Sequence, residues 1–194
     1  GKAKVDVLTS KPHLWHDVIH VSSDQGEISG RLDRIDSDPA RLIPDADIVI
    51  LCYPGFMIGR TLESICPYLK PDAYVGSIFS STGFFFEAQI LLPRTQPIWG
   101  FQRVPFISRV KDYGSSANIL GYKPCYHIAV EHVDESQKRA FANLIQDWFE
   151  RPVHLLKNFY ESSLTNSNPL LHTSRLYAMF GRENEGRVYP EQIR

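Results

Sequence analysis

The sequence predicts an α/β fold: a doubly wound, mostly parallel sheet, incomplete at its N-terminus, followed by the start of a C-terminal α-helical domain. Three observations predict it. The runs "DADIVILCYPG" and "AYVGSIFSSTG" are unbroken apolar stretches ending in turn-forming or small residues, as strands covered on both faces do. Between them Ile58, Leu62, Ile65 and Leu69 recur at helical spacing until Pro71, so strand, helix and strand make a βαβ unit. Strand-like and helix-like runs then alternate to about Phe159 and stop where "ESSLTNSNPLLHTSRLYAMFG" loses strand periodicity.

The elements follow in order. "KVDVLT" opens the chain as a short buried strand through Val5, Val7 and Leu8. "DVIHVSSDQGEISGRL" sets two alternating runs around Asp24-Gln25-Gly26, the pattern of a hairpin. Ile48 to Cys52 is expected to be a central parallel strand, and Tyr74 to Phe79 its partner, followed by a short helix. "IWGFQRV" and "CYHIAVEH" read as strands, with "ISRVKDYGSSANILGY" between them as a second hairpin. Asp134 with Gln137 resembles a capping box for a helix whose Phe141, Leu144, Ile145 and Trp148 share a face, and "VHLLKN" is a last strand. Asn168 as N-cap, Pro169 at the first helical position and Gly181 as C-cap bound one more helix, before a polar tail over 182–194. The chain reads as cut at both ends. The aromatics Phe84, Phe85, Phe86, Trp99, Phe101 and Phe106 are expected in the core.

Composition narrows the function. With 21 basic and 22 acidic side chains the formal charge is -1, which supplies no field for drawing the protein onto nucleic acid or an anionic membrane, so small polar ligands fit better. Cys52, Cys66 and Cys125 leave an odd thiol and show no metal-ligand spacing, which favours a reducing, cytoplasmic location. No apolar run reaches the roughly 20 residues a membrane helix needs, and the first residues hold no signal-peptide core. The histidines form no H-E-x-x-H pattern and no nucleophile elbow is present, so neither metal nor covalent nucleophilic chemistry is expected.

Candidate ligand contacts lie at the ends of the predicted strands. Such sheets bind dinucleotides on a G-x-G-x-x-G turn, which this sequence lacks; a βα unit of roughly 30 residues would carry it. "VDVLT" is then the second strand of that unit. Its end, where an acid usually meets the ribose hydroxyl, reads Thr9-Ser10-Lys11, chemistry suited to a 2'-phosphate and equally to a plain turn before Pro12. Tyr53-Pro54-Gly55 and Ser80-Ser81-Thr82-Gly83 follow the two central strands, where hydroxyls and amides could meet a nicotinamide or a carboxylate, or simply form turns. Arg103 and Arg109 offer guanidinium groups, which bind carboxylates bidentately. His172 falls in the first turn of a helix, where the dipole favours the neutral ring, so a proton relay there needs an acidic partner that nothing nearby supplies.

Taken together, "SNPLLHTSRL" after "ADIVILCYPG", "VGSIFSSTGFFFE" and "GFQRVPFISR" resembles the octopine/nopaline (opine) dehydrogenase family over essentially the whole chain. The specific part is Asn-Pro-x-x-His. The resemblance implies a partial Rossmann-like NAD(P)-binding domain over 1–159 and the start of a helical domain over 160–194. It implies an NAD(P)-dependent oxidoreductase acting on CH-NH or CH-OH donors, which reductively joins an amino acid to a 2-keto acid using NADP or NAD. His172 matches the family's catalytic histidine, a proton donor suited to the work because imidazole titrates near neutrality. Ser81, in a loop matching the keto-acid site, and Arg103 and Ser108, in a matching strand and turn, become substrate candidates, while Thr9, Ser10, Lys11, Tyr53, Pro54 and Gly55 are the cofactor candidates. The Gly-rich turn and the aspartate that partners the histidine are not among these residues, so the 194 residues alone are expected to be an inactive fragment that binds dinucleotide poorly. Arg103 stands where opine enzymes tend to carry smaller or uncharged groups, which leaves the amino donor open. Two alternatives stay open as well: a related reductase of a 2-keto or hydroxy acid without amine condensation, and a nucleotide-sensing module without chemistry. The sequence does not fix the oligomeric state.

Overall fold

In the computed structural model, which describes residues 2–165 and 167–181 and only the backbone of 167–169, strands and helices alternate as expected. In chain order they are β1 (Val7–Leu8), β2 (Val18–Ser23), β3 (Gly26–Arg31), β4 (Ile35–Asp36), α1 (Pro39–Leu42), β5 (Ile48–Leu51), α2 (Gly55–Ile65), β6 (Tyr74–Ser77) and α3 (Phe84–Leu91). There follow β7 (Ile98–Phe101), β8 (Phe106–Asp112), β9 (Ser116–Tyr122), β10 (Tyr126–Glu131), α4 (Glu135–Phe149), β11 (Val153–Leu155), α5 (Phe159–Leu164) and α6 (Ser167–Phe180). The main sheet has the order β11-β10-β7-β6-β5, with β5, β6 and β7 parallel, β10 antiparallel to β7, and β11 parallel to β10.

Two apolar layers cover this sheet. On one face Leu51, Val75, Ile98 and Ala129 meet Ile58, Leu62 and Ile65 of α2 and Phe84, Phe85 and Ala88 of α3. On the other, Trp99, Phe101, Tyr126, Ile128 and Val130 meet Phe141, Ala142 and Ile145 of α4. Strand alternation explains why β5 is apolar throughout: Val49 and Leu51 point to the first layer, Ile48 and Ile50 to the second. Glycines provide room at two close approaches. A side chain on Gly76 would collide with the Trp99 indole, and one on Gly100 would collide with the Ser80 hydroxyl. The expected capping box of α4 is present, Gln137 N donating to Asp134 Oδ1 at 2.8 Å and Asp134 N to Gln137 Oε1 at 3.0 Å.

Several expectations are corrected. β5 is hydrogen-bonded to β6 alone and is an edge of the five-stranded sheet, so its apolar run reports coverage of its two faces and not two neighbouring strands. β1 and β4 form a separate parallel pair, although Leu8 packs on the same layer as Val49 and Leu51. The Arg34 guanidinium ties that pair to the α1–β5 connection by bonding Asp6 at 2.6 Å and Asp45 at 2.8 Å. Both hairpins form, but they combine into a second sheet, β3-β2-β9-β8, through parallel pairing of β2 with β9. The tip of the second hairpin seats on the segment after β1: Trp15 meets Tyr113 edge to face at 5.9 Å, and His16 N bonds Gly114 O at 2.9 Å. Phe84, Phe85, Trp99 and Phe101 are fully buried, whereas Phe86 is 41% exposed because its ring lies against Phe159 and Tyr160 on the surface. α5, capped by Asn158, was not anticipated, and α6 starts at Ser167, one residue before the expected N-cap Asn168. The polar tail over 182–194 lies outside the described residues.

Candidate functional site

Because β5, β6 and β7 run parallel, their carboxyl ends release three connections along one edge of the sheet, the position where open α/β sheets take ligands. The connection after β5 is Cys52-Tyr53-Pro54, entering α2 at Gly55, whose first turn has no side-chain cap. The connection after β6 is a 3₁₀ turn over Ser80–Thr82 closed by Gly83 in the left-handed region at φ 88°. Thr82 Oγ1 donates to Phe79 O at 2.8 Å and fixes that turn. The two connections touch, since a Cβ on Gly55 would lie 2.8 Å from Thr82 O. Ser80 is fully buried between this turn and Gly100, and among the described residues its hydroxyl has no hydrogen-bond partner. Ser162 and Ser163 of α5, which packs on the turn, are likewise buried with hydroxyls lacking partners.

The connection after β7 completes the edge. Gln102 Nε2 donates to Thr165 Oγ1 at 2.7 Å, which holds the end of α5 here and therefore the start of α6, two residues further on. The antiparallel β10 and its partner β11 begin at the same edge, bringing His127 and His154 opposite one another. Their rings lie 5.2 Å apart, centroid to centroid. Burial holds the His127 imidazole below its ordinary value near 6.5, and the neighbouring His154 and Arg103 push it the same way.

Of the residues singled out from sequence, the fold brings Tyr53, Pro54, Gly55, Ser81 and Arg103 to this one edge. Thr9, Ser10 and Lys11 follow β1 at the carboxyl end of the separate parallel pair, with Lys11 N donating to Thr9 Oγ1 at 3.3 Å. Ser108 sits on β8 in the second sheet, exposed, opposite Ile119, and Arg109 turns back to donate to its carbonyl at 2.8 Å. His172 lies in the second turn of α6 with its side chain exposed, and among the described residues no carboxylate bonds to it. Sequence reading missed Gln102, His127 and His154. The alternation in "YHIAV" places His127 on the face away from Tyr126, Ile128 and Val130, but the contact with His154 depends on strand register, which local sequence does not report. Two shallow concavities lie elsewhere, one between Lys2 and the end of α4 and one beside Arg34 and Arg41.

The parallel strands, the helices on both faces and the connections gathered at a single carboxyl edge define a Rossmann-like α/β fold. Comparison with known proteins narrows the class. A solved octopine dehydrogenase with NADH and L-arginine superimposes with a TM-score of 0.80 and 25% identity, over 97% of this chain and 50% of that one. Octopine dehydrogenase of Mizuhopecten yessoensis is 25% identical over 160 residues, 81% of this chain and 40% of its own length. The uncharacterized protein y4xO of Sinorhizobium fredii (strain NBRC 101917 / NGR234) is 34% identical over 174 residues, 87% of this chain and 45% of its own length. No family model matches the chain. In sequence and structure the chain is similar to octopine dehydrogenases. It spans about half the length of the relatives it matches.

Proposed function

We propose that this chain supplies the nucleotide-binding half of an opine-type NAD(P)-dependent dehydrogenase that reductively condenses an amino acid with a 2-keto acid. The observation that carries the reading is the superposition of 97% of the chain on an octopine dehydrogenase bound to NADH and L-arginine, at a TM-score of 0.80. The carboxyl-edge crevice agrees with it. Its exposed Tyr53 and Pro54 and the uncapped first turn of α2 suit a polar dinucleotide, since helix N-terminal amides donate hydrogen bonds to anionic oxygens. Related structures hold NADH, which favours NAD(H), while Lys11 beside Thr9 and Ser10 would serve a 2'-phosphate in NADP(H).

Bound there, the dinucleotide supplies hydride. The chain's own residues bind and protonate: Thr9, Ser10, Lys11, Tyr53, Pro54 and Gly55 hold the dinucleotide, and Ser81, Arg103 and Ser108 hold substrate. His172 gives a proton as the substrate carbon is reduced, and the exposed position of its ring leaves it open to a carboxylate partner from polypeptide outside these 194 residues. In this reading 1–159 form the nucleotide-binding unit and 160–194 open the helical one. The 194 residues alone turn nothing over and bind dinucleotide weakly, for they contain no G-x-G-x-x-G turn. Three free cysteines suit a cytoplasmic location, and among the described residues no helix is long and apolar enough to cross a membrane.

The test is His172→Ala in the intact protein, followed by turnover and, separately, by calorimetric titration with NADH and NADPH. Turnover should fall by about a hundredfold or more, the usual worth of a general acid, with dinucleotide affinity unchanged. Retained turnover would remove His172 from the chemistry, and lost dinucleotide binding would reassign it to the cofactor site.

A further inference from the structure

Three groups able to carry positive charge converge at the carboxyl edge without a counter-ion among the described residues. His127 and His154 are direct neighbours across β10 and β11, with ring centroids 5.2 Å apart and planes inclined by 33°. Arg103 follows Gln102, whose N–H donates to His127 O at 2.9 Å, and its guanidinium disfavours the charged form of His127. No side chain of the three takes part in a hydrogen bond or ion pair among the described residues. The one acid on α5, which packs on β10, is engaged elsewhere: Glu161 Oε2 accepts from Lys157 N at 2.9 Å. Glu131, at the far end of β10, accepts from Phe159 N at 2.7 Å. Arg151, between α4 and β11, is turned onto the Tyr122 ring at 5.4 Å. Like charges brought together in this way disfavour the protonated His127 imidazole, and an anion seated among them reverses that penalty.

We propose that Arg103, His127 and His154 form a carboxylate-binding cluster that receives the acid group of the 2-keto substrate. This rests on the dehydrogenase reading for the identity of the anion. The guanidinium offers a planar pair of donors matched to a carboxylate, and each imidazole offers an N–H. The place in the fold fits, because the cluster stands beside Gln102, which anchors the end of α5 next to the helix that bears His172. Anion binding and proton uptake are then linked. A bound carboxylate favours charged imidazoles, so affinity rises as pH falls, by about tenfold for each unit by which binding raises an imidazole pKa.

Pyruvate is the probe, titrated calorimetrically into the intact protein at pH 8 and pH 6 without dinucleotide, while NMR follows the imidazole resonances of His127 and His154. Affinity should be about tenfold tighter at pH 6, and both imidazole resonances should move on binding. Arg103→Gln should weaken binding at both pH values, and His154→Gln should diminish the gain at pH 6; both residues are exposed, and a melting temperature confirms that each variant folds. Pyruvamide, which has no acid group, should not bind. A pyruvate affinity independent of pH, or unmoved by both substitutions, overturns the proposal. Inorganic phosphate binding as tightly as pyruvate overturns the assignment to a carboxylate. Because no turnover is involved, imidazole shifts in a protein that oxidises no dinucleotide would leave the cluster standing and sink the dehydrogenase reading, and the opposite pattern would do the reverse.

Discussion

Gly76→Ala probes the packing on which the carboxyl edge is built. Gly76 lies in the middle of β6, directly beside Trp99 of β7. A Cβ there would fall 2.2 Å from the indole Nε1, 2.3 Å from Cε2 and 2.5 Å from Cδ1, all inside the closest approach of real atoms. The indole cannot retreat, being fully buried and wedged edge to face against Phe141 at 5.0 Å and Phe101 at 5.3 Å. Overpacking of a closed core costs about 1–3 kcal/mol. Replacing a mid-strand glycine by alanine returns about 0.5–1 kcal/mol of backbone entropy. The net loss should be about 1–2 kcal/mol, and at roughly 2–4 °C per kcal/mol for a chain of this size the melting temperature should drop by about 2–8 °C. Thermal unfolding followed by circular dichroism measures it. In a Trp99→Leu background, where the indole is gone, the same substitution should lose its cost, giving a coupling of about 1 kcal/mol or more. A melting temperature unchanged or raised by Gly76→Ala in the native background would refute the packing argument.

Other outcomes follow from the same geometry. Asp134→Ala removes the reciprocal caps of α4 and should destabilise the protein by about 1 kcal/mol, read from urea unfolding. Gly55→Ala places a methyl against Thr82 O and should separate the two crevice connections, so dinucleotide affinity measured by calorimetry should fall while the melting temperature changes little; unchanged affinity would uncouple the connections from the cofactor. His127, whose folded-state pKa is depressed, contributes fully above about pH 6.5, and this contribution is lost as pH falls through its folded value, because the unfolded chain takes the proton first. Melting temperature should therefore decline from pH 7.5 to pH 5.5, and His127→Gln should flatten part of that decline.

The order of elements was legible because the signals are local. Ile58, Leu62 and Ile65 repeat at helical spacing and form the buried face of α2, and Asp134 with Gln137 makes the capping box those two residues suggest. Pairing was less so. An apolar strand such as β5 records that both its faces are covered, which an edge strand can share with a central one. The partnership of β2 with β9 joins segments about ninety residues apart in sequence, and neither hairpin advertises it, since the alternation within each is satisfied by its own turn. The site divides similarly. Strand ends pointed to Tyr53, Gly55 and Ser81, which the parallel order brings together at one edge. Ser108 lies on β8 of the second sheet, where "FISR" pairs with β9, a partnership that strand-end reasoning does not report. His127 and His154 became neighbours only through register, and Gln102 gained its role only when α5, a helix too short to stand out by periodicity, packed back on the sheet.

The most direct measurement is the absorbance of reduced nicotinamide dinucleotide in the intact protein given a 2-keto acid with and without a panel of amino acids, with the product identified by mass. Oxidation that requires the amino acid and yields a secondary amine joining the two substrates is the predicted result. Oxidation at the same rate with the amino acid withheld, yielding only the hydroxy acid, would contradict the account.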